Sequence, residues 1–380
     1  MDFIEFLLQS FKALTWQNLV MYAIGVLLII LAIRFRMEPA LLLPIGFGAI
    51  LVNIPFSGVL NQVIGGETAQ GIIQVLYDFG LEMGEIFPLL LFIGIGAMID
   101  FGPLLANPKL IFFGAAAQVG IFITIIIASV LNFDIRDAAA IGIIGAADGP
   151  TSILVANVLK SKYVGPITVA AYSYMALVPI IQPFAIKLVT TKKERQIRMP
   201  YNPKDVSKTA KIVFPIAVTV IAGLIAPQSL ALVGFLMFGN LIRECGVLEG
   251  LAETAQTALV NLITLLLGIT IAFKMQAAEF LTWQTLMILG LGLGAFVFDT
   301  IGGVLFAKFI NLFTKKKINP MVGAAGISAF PMSARVVQKM GLEADPENHL
   351  LMHAVSANVS GQIASVLAGG VILSLFGVII

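Results

Sequence analysis

The chain has 380 residues, 59% of them hydrophobic and only 12% charged, with a mean hydropathy of +0.99. Those values exclude a soluble globular protein and describe a chain that lives in a lipid bilayer. The net charge of +2 decides little, but the placement of the basic residues decides the topology.

At the start, Asp2 and Glu5 stand where a signal peptide would carry a basic region, and no small-residue cleavage site follows. The first apolar run, Val20 to Ile33, is therefore expected to remain as a transmembrane helix within 1–36, ended by Arg34 and Arg36. Apolar runs follow at 39–54, 85–101, 109–132, 137–159 and 164–190. A loop crowded with Lys192, Lys193, Arg195, Arg198, Lys204, Lys208 and Lys211 comes next. The positive-inside rule places both basic clusters in the cytoplasm, yet five crossings would put them on opposite sides. The count closes if 137–159 dips in and returns to its own side. That run holds GAADGPTS, residues 145–152, in which Asp148 precedes Gly149 and Pro150, the residues worst suited to a helix interior. Broken backbone at membrane depth is tolerated only where protein or a water-filled cavity covers it, so the break implies a lined site.

Four more runs, 211–226, 229–244, 257–273 and 284–313, bring the chain back to a third basic cluster, Lys315 to Lys317. Then NPMVGAAGISAFPMSARVVQ, residues 319–338, is interrupted by Gly326 and Pro331 and reads as a second hairpin, ahead of a last apolar run, Leu350 to Ile380. The first hairpin would enter from outside and the second from the cytoplasm, as an inverted repeat requires. Three pairs of segments support a repeat: GAADGPTSILVANV (145–158) with GAAGISAFPMSARV (323–336), 89–110 with 265–286, and PALLLPIGF (39–47) with PQSLALVGF (227–235). The expected organisation is an N-terminal helix in 1–36, a first repeat over 37–191 with hairpin 137–159, a basic loop and linking helix over 192–226, and a second repeat over 227–380 with hairpin 319–338. Folds of this kind place substrate and ion sites near the midplane, where broken helices meet.

An aspartate at the bilayer centre costs ~2.5–3.5 kcal/mol on insertion scales, so Asp148 is a functional residue by default; its other reading is a cap on the half-helix that Pro150 begins. Arg335 either snorkels to the interface or grips a carboxylate with two parallel bonds. Asn319, Ser328 and Asn358 offer neutral oxygens suited to a hard cation, or act as interhelical glue. Tyr172 and Tyr174 point to opposite sides of one helix, so only one of them faces the site. His349 and His353 lack the Glu and third ligand of a zinc site, and GLGLG (290–294) fits close helix packing. AFKM (272–275) departs from a biotin-attachment AMKM at Phe273, and the lone Cys245 excludes an internal disulfide or a cysteine-rich cluster.

GAADGPTS, NPMVGAAGISAFPMSARV, the early EPALLLPIGFGAILVNIP and the late HAVSANVSGQIASV together closely resemble the β subunit of sodium-pumping, biotin-dependent decarboxylases, over almost the whole chain. The resemblance implies an all-α polytopic membrane protein with an inverted-repeat, elevator-type transporter-like fold and two re-entrant hairpins. It implies that the chain decarboxylates carboxybiotin presented by a separate carrier subunit, exports Na+ and consumes a proton, with no biotin of its own. It carries catalytic roles to Asp148, Tyr174 and Arg335. Sodium ligation falls to Asp148, Asn319, Ser328, Asn358 and Tyr174, and carboxybiotin binding to Arg335, Gly323 and Gly149. The carboxylate of Asp148 and the guanidinium of Arg335 are expected to share one water-accessible chamber. Expected partners are the biotin carrier and carboxyltransferase (α) subunits, a small membrane γ or δ subunit, the bilayer and further copies of the chain, with no nucleic acid. The expected location is a prokaryotic cell membrane. The main alternative is a sodium–carboxylate symporter; a passive sodium channel fits two buried hairpins less well.

Overall fold

A computed structural model describes residues 9–36, 38–64, 67–83, 85–200 and 205–376; Asp2, Glu5, Lys204 and 377–380 lie outside the described residues. The chain is almost entirely helical, and six of its described helices are long and apolar enough to cross a membrane, or up to eight if two bent pairs count as single spans. Trp16–Phe35 opens the series with Thr15 as its cap, its hydroxyl accepting from the Asn18 N–H. Pro39–Val52, Ile86–Met98, Pro108–Val130, Val164–Val189, Lys208–Ile225, Leu230–Glu244, Glu249–Met275, Trp283–Phe313 and Leu351–Phe376 follow where apolar runs predict them. Val164–Val189 bends by 72° between Val164–Met175 and Leu177–Val189. Pro179 lacks the N–H that the Met175 carbonyl would otherwise receive, which supplies the cause.

Two features lack a counterpart in the apolar pattern. Gln62–Ile64 and Glu67–Ala69 pair as an antiparallel ribbon, and Ile72–Tyr77 continues into a π-helical turn, Asp78–Glu82, before the Ile86–Met98 helix. The ribbon carries residues such as Gln62, Glu67 and Thr68, too polar to register as a crossing.

Both broken segments turn back on themselves. In the first, Ile135–Gly142 tightens into a 3-10 turn, Ile143–Ala146, breaks at Ala147 and Asp148, and resumes as Gly149–Val158. Ala147 is left-handed at φ 53°, which reverses the chain. Asp137 Oδ1 then accepts from the Ser161 hydroxyl at 2.7 Å and the Lys162 N–H at 3.1 Å. A straight helix would hold 137 and 161 roughly 36 Å apart at 1.5 Å per residue. In the second, Met321–Ala324 gives way to a loop and then Met332–Ala344. Asn319 before it and Asn348 after it both donate to the Arg195 carbonyl, each at 2.9 Å.

Helix ends that the charge rule assigns to one side meet one another. Lys211 pairs with Asp100 at 3.3 Å and Glu244 at 3.8 Å, and Lys308 with Glu194 at 2.9 Å. At the other end, Asn53 receives Asn18 and Tyr22 on its carbonyl, both at 3.0 Å, and its amide donates to the Met275 carbonyl at 2.8 Å. The apolar interior forms two main cores. One gathers both fold-backs with helices such as Trp283–Phe313 and Leu351–Phe376; the other lies among Trp16–Phe35, Pro39–Val52 and Glu249–Met275, and Ile153, Val169 and Tyr172 reach into it.

Candidate ion-binding site

The tips of the two fold-backs touch. The Ser328 N–H donates to the Ala146 carbonyl at 3.1 Å, joining the loop of the second to the turn of the first. Beside that bond sits Asp148, 5% exposed, in the N-cap position of Gly149–Val158. Its Oδ1 accepts from the Thr151 N–H at 3.3 Å, so it does cap its half-helix. Its Oδ2 does more: hydroxyls of Thr151 and Ser365 donate to it at 2.8 Å each, and Ser328 lies at 3.4 Å. A cap needs one oxygen, whereas this carboxylate is bedded in hydroxyls drawn from both fold-backs and the last helix.

Leu351–Phe376 supplies the floor through one stripe. Asn358, Gln362 and Ser365 fall at i, i+4 and i+7, one face of a helix. The Asn358 amide donates to the Ile327 carbonyl at 2.6 Å, Gln362 donates to the Ser328 carbonyl, and Ser365 reaches Ser328 Oγ at 3.1 Å as well as Asp148. Among the described residues no donor reaches Asn358 Oδ1, although it is fully buried. The helix can approach this closely because Gly361 lies against Gly326: a Cβ there would collide with the Gly326 and Ile327 carbonyl oxygens.

Asp148 opens onto a cavity of about 190 Å³ lined by Glu38, Met98, Gly149, Tyr172, Thr264 and Ser328, among others. Gly149 is on this wall, packed so closely on the Tyr172 ring that no Cβ would fit. Every polar atom assembled here is oxygen or amide, a donor set suited to a hard, singly charged cation. Among the described residues no group of three His, Cys, Asp or Glu side chains could hold a transition metal.

Five of the eight residues expected at the site thus lie elsewhere or at its edge. Tyr174 does not line the cavity: its hydroxyl donates to the Leu289 carbonyl, because two positions along a helix turn it about 200° away from Tyr172. Asn319 is buried at the entrance of the second fold-back, its amide shared between the carbonyls of Arg195 and Ile197 and its Oδ1 taken by the Met321 N–H. Gly323 is a packing contact against Gly303 of the long helix Trp283–Phe313. Asn358 holds the tip loop from behind. The correction with the largest consequence concerns Arg335. It is exposed on Met332–Ala344, beside a surface hollow of about 510 Å³ shared with Gln338, Lys339 and Glu343, and does not share a chamber with Asp148. Position 335 lies seven residues past the tip, where the return helix has left the site.

Thr151, Gln362 and Ser365 are the site residues that sequence reasoning passed over, and of the tyrosine pair it is Tyr172 that lines the cavity. Thr151 stands three past an N-cap, and the 358, 362, 365 spacing is a polar stripe in an otherwise apolar helix, so both signals were present. The lookalikes resolve as packing: Lys274 of AFKM lies 5.2 Å from the ring centres of Tyr77 and Phe273, and Gly292 of GLGLG lets its helix close on Ile144 and Tyr174. His353 is buried and His349 exposed, so the two face different surroundings.

Fold and site together define a polytopic helical membrane protein with one buried, oxygen-lined carboxylate where two broken segments meet. A sequence profile of the family described as Na+-transporting oxaloacetate decarboxylase beta subunit matches residues 17–376. The chain belongs to that family, the membrane β subunits of Na+-transporting decarboxylases. It is 48% identical to the glutaconyl-CoA decarboxylase subunit beta of Acidaminococcus fermentans over 97% of this chain and 96% of that one. It is also 48% identical to the methylmalonyl-CoA decarboxylase subunit beta of Propionigenium modestum, over 97% of each. With the probable oxaloacetate decarboxylase beta chain of Vibrio cholerae the identity is 43% over 95% of each.

Proposed function

We propose that the chain is the membrane subunit of a sodium-translocating decarboxylase, that it removes CO₂ from carboxybiotin delivered by a separate carrier, and that it uses this step to export Na+ while consuming a proton. The relatives bear the names of three different parent acids at 43–48% identity, so what the shared chain performs comes after the acid has been chosen. Transfer of the carboxylate to biotin by a carboxyltransferase subunit meets that condition. Biotin itself stays on the carrier, since Lys274 is half-buried over two rings. A small γ or δ membrane subunit and further copies of the chain complete the expected complex, in a prokaryotic cell membrane.

The observation that carries the reading is the meeting of the two tips at Asp148. Two segments that each return to their starting side, one from each face, give a site at mid-membrane that either face can reach by a modest movement. The inverted repeat over 37–191 and 227–380 and an elevator-type displacement of the fold-back unit are part of the proposal. Sodium binds as cargo between the Asp148 carboxylate, the hydroxyls of Thr151, Ser328 and Ser365, and Asn358 Oδ1, which has no other partner among the described residues. The cavity beside Asp148 is walled by Glu38 and Met98, residues next to helix ends of the basic face, which makes it the proposed entry from the cytoplasm.

Moving one positive charge outward against 100 mV costs ~2.3 kcal/mol, so transport must be tied to the exergonic loss of CO₂. Arg335, with Lys339 beside it, offers an exposed guanidinium where a carrier-borne carboxylate can dock from the cytoplasm, and it sits on the arm whose tip holds Ser328. Loss of the carboxylate there is coupled to the ion through one helix and its loop. Tyr174, bonded to the Trp283–Phe313 helix, and Asn319, tied to the basic loop, serve to position the two arms. Gly323 and Gly149 permit the close packing on which the arms slide.

Asp148→Asn in the assembled complex in proteoliposomes tests this. Both Na+ uptake and decarboxylation should fall to background; retention of either at the unsubstituted rate overturns the assignment. The symporter alternative predicts uptake of a free dicarboxylate without carrier.

A further inference from the structure

One acidic residue of the cavity is not used by the reading above. Glu38 occupies the N-cap position of Pro39–Val52, yet its side chain makes no capping bond and, among the described residues, no other hydrogen bond or ion pair. It is held at φ 37° and ψ 59°, a left-handed conformation that a residue with a Cβ rarely adopts. Pro39 follows it and restricts the backbone further. A glycine, or a serine that caps, would suit the helix better, and strain retained at such a position points to what the side chain does.

That side chain lines the same 190 Å³ cavity as Asp148. Tyr172 stands on the cavity wall too. It is 3% exposed, among the described residues its hydroxyl has no hydrogen-bond partner, and it lines the cavity together with Asp148 and Glu38. A buried hydroxyl left unpaired is costly, so its oxygen is available to a ligand of the cavity. A carboxylate and an unpaired phenolic oxygen in one compartment make an oxygen pair for a cation with a water-filled remainder.

We propose that Glu38 and Tyr172 form a second cation station, at the cytoplasmic mouth of the cavity, that captures Na+ and passes it to Asp148. The inference rests on the proposed function for the identity of the cation and the direction of entry. A carboxylate near the basic face, shortly after Arg34 and Arg36, selects cations where the local charge would otherwise repel them. The hydroxyl shares the cavity wall with both carboxylates, so a partly hydrated ion exchanges one oxygen at a time. The station is distinct from the tip site, because neither Glu38 nor Tyr172 bonds to Asp148, Ser328 or Ser365.

The test uses the whole complex in proteoliposomes, with decarboxylation and ²²Na+ uptake followed against Na+ concentration. Glu38→Gln should raise half-saturating Na+ about tenfold, with a larger change there than in the maximal rate; Tyr172→Phe should shift it in the same direction by less. Glu38→Asp, which keeps the charge, should lie between Glu38→Gln and the unsubstituted protein. An unchanged half-saturating Na+ in Glu38→Gln overturns the station, as does inactivity of both Glu38→Gln and Glu38→Asp at every Na+ concentration in normally assembled complexes, which would mark a structural role. Asp148→Asn run beside them reports on the tip site alone: if it stays active, the proposed function fails, whatever Glu38 does.

Discussion

The two fold-backs are built alike but charged differently. The first carries its ionisable group at the tip, where Asp148 is buried under three hydroxyls. The second carries none at its tip, only Ser328 and backbone, and its charge, Arg335, stands on the return helix at the surface. A carboxylate and a guanidinium side by side would neutralise each other and leave little attraction for Na+. Separating them leaves the carboxylate to its hydroxyls and leaves the guanidinium accessible to an anion on a carrier. The comparison teaches that, on the proposed reading, the second segment would communicate with the ion through packing, along Met332–Ala344 into the Ser328 loop, rather than by direct charge contact.

Arg335→Ala is the substitution that divides the two regions most sharply. Hydrogen bonds to a charged partner contribute ~1.5–3 kcal/mol, so carboxybiotin turnover should fall roughly ten- to a hundredfold while half-saturating Na+ stays near its unsubstituted value. Steady-state decarboxylation measured against both carboxybiotin carrier and Na+ checks it. A loss confined to Na+ affinity would place the guanidinium functionally beside Asp148 after all.

Ser365→Ala sharpens the other side. It removes a hydroxyl that touches Asp148 and Ser328 together, and it leaves the backbone of the last helix intact. A loss of ~1–1.5 kcal/mol corresponds to about a tenfold rise in half-saturating Na+, with carrier affinity unaltered. Equal changes in both would mean that the two fold-backs form one inseparable site.

How far the sequence leads differs between these regions for physical reasons. The crossings were legible because the bilayer demands long apolar runs, and the break at Asp148 because Gly149 and Pro150 cannot continue a helix with an acid beside them. The tip of the second fold-back was marked by Gly326 and Pro331. The placement of Arg335 was not legible, since seven residues of loop and helix can bring a side chain back to the tip or carry it away. Nor could Tyr172 be separated from Tyr174: both hydroxyls stand in apolar helix, and only the neighbours in space decide which one reaches the cavity. Gln362 and Ser365 resemble the small polar residues that glue membrane helices together, and their spacing acquires meaning once the Ser328 loop is seen above them. The helical stretch Ile72–Glu82 escaped because it is short and carries Gln74, Asp78 and Glu82.

The smallest effect is expected far from both tips, at the cluster of helix ends around Asp100. Burial there favours the neutral carboxyl, but the Gly102 N–H and the Lys211 ammonium outweigh it and hold Asp100 below the usual carboxylate range. A group whose folded value is depressed stabilises the fold above its unfolded pKa of ~3.9 and loses that contribution as pH falls through the folded value. Asp100→Asn should therefore lower the thermal midpoint of the purified chain slightly at neutral pH, with the gap to the unsubstituted protein closing below about pH 4. Because Asp100 and Lys211 are both partly solvent-exposed, screening keeps the pair within the ~0–1 kcal/mol of a surface ion pair, and added salt should shrink the gap further. A gap that widened on acidification would mean that Asp100 is neutral in the folded state and that the basic face is held together by something other than charge.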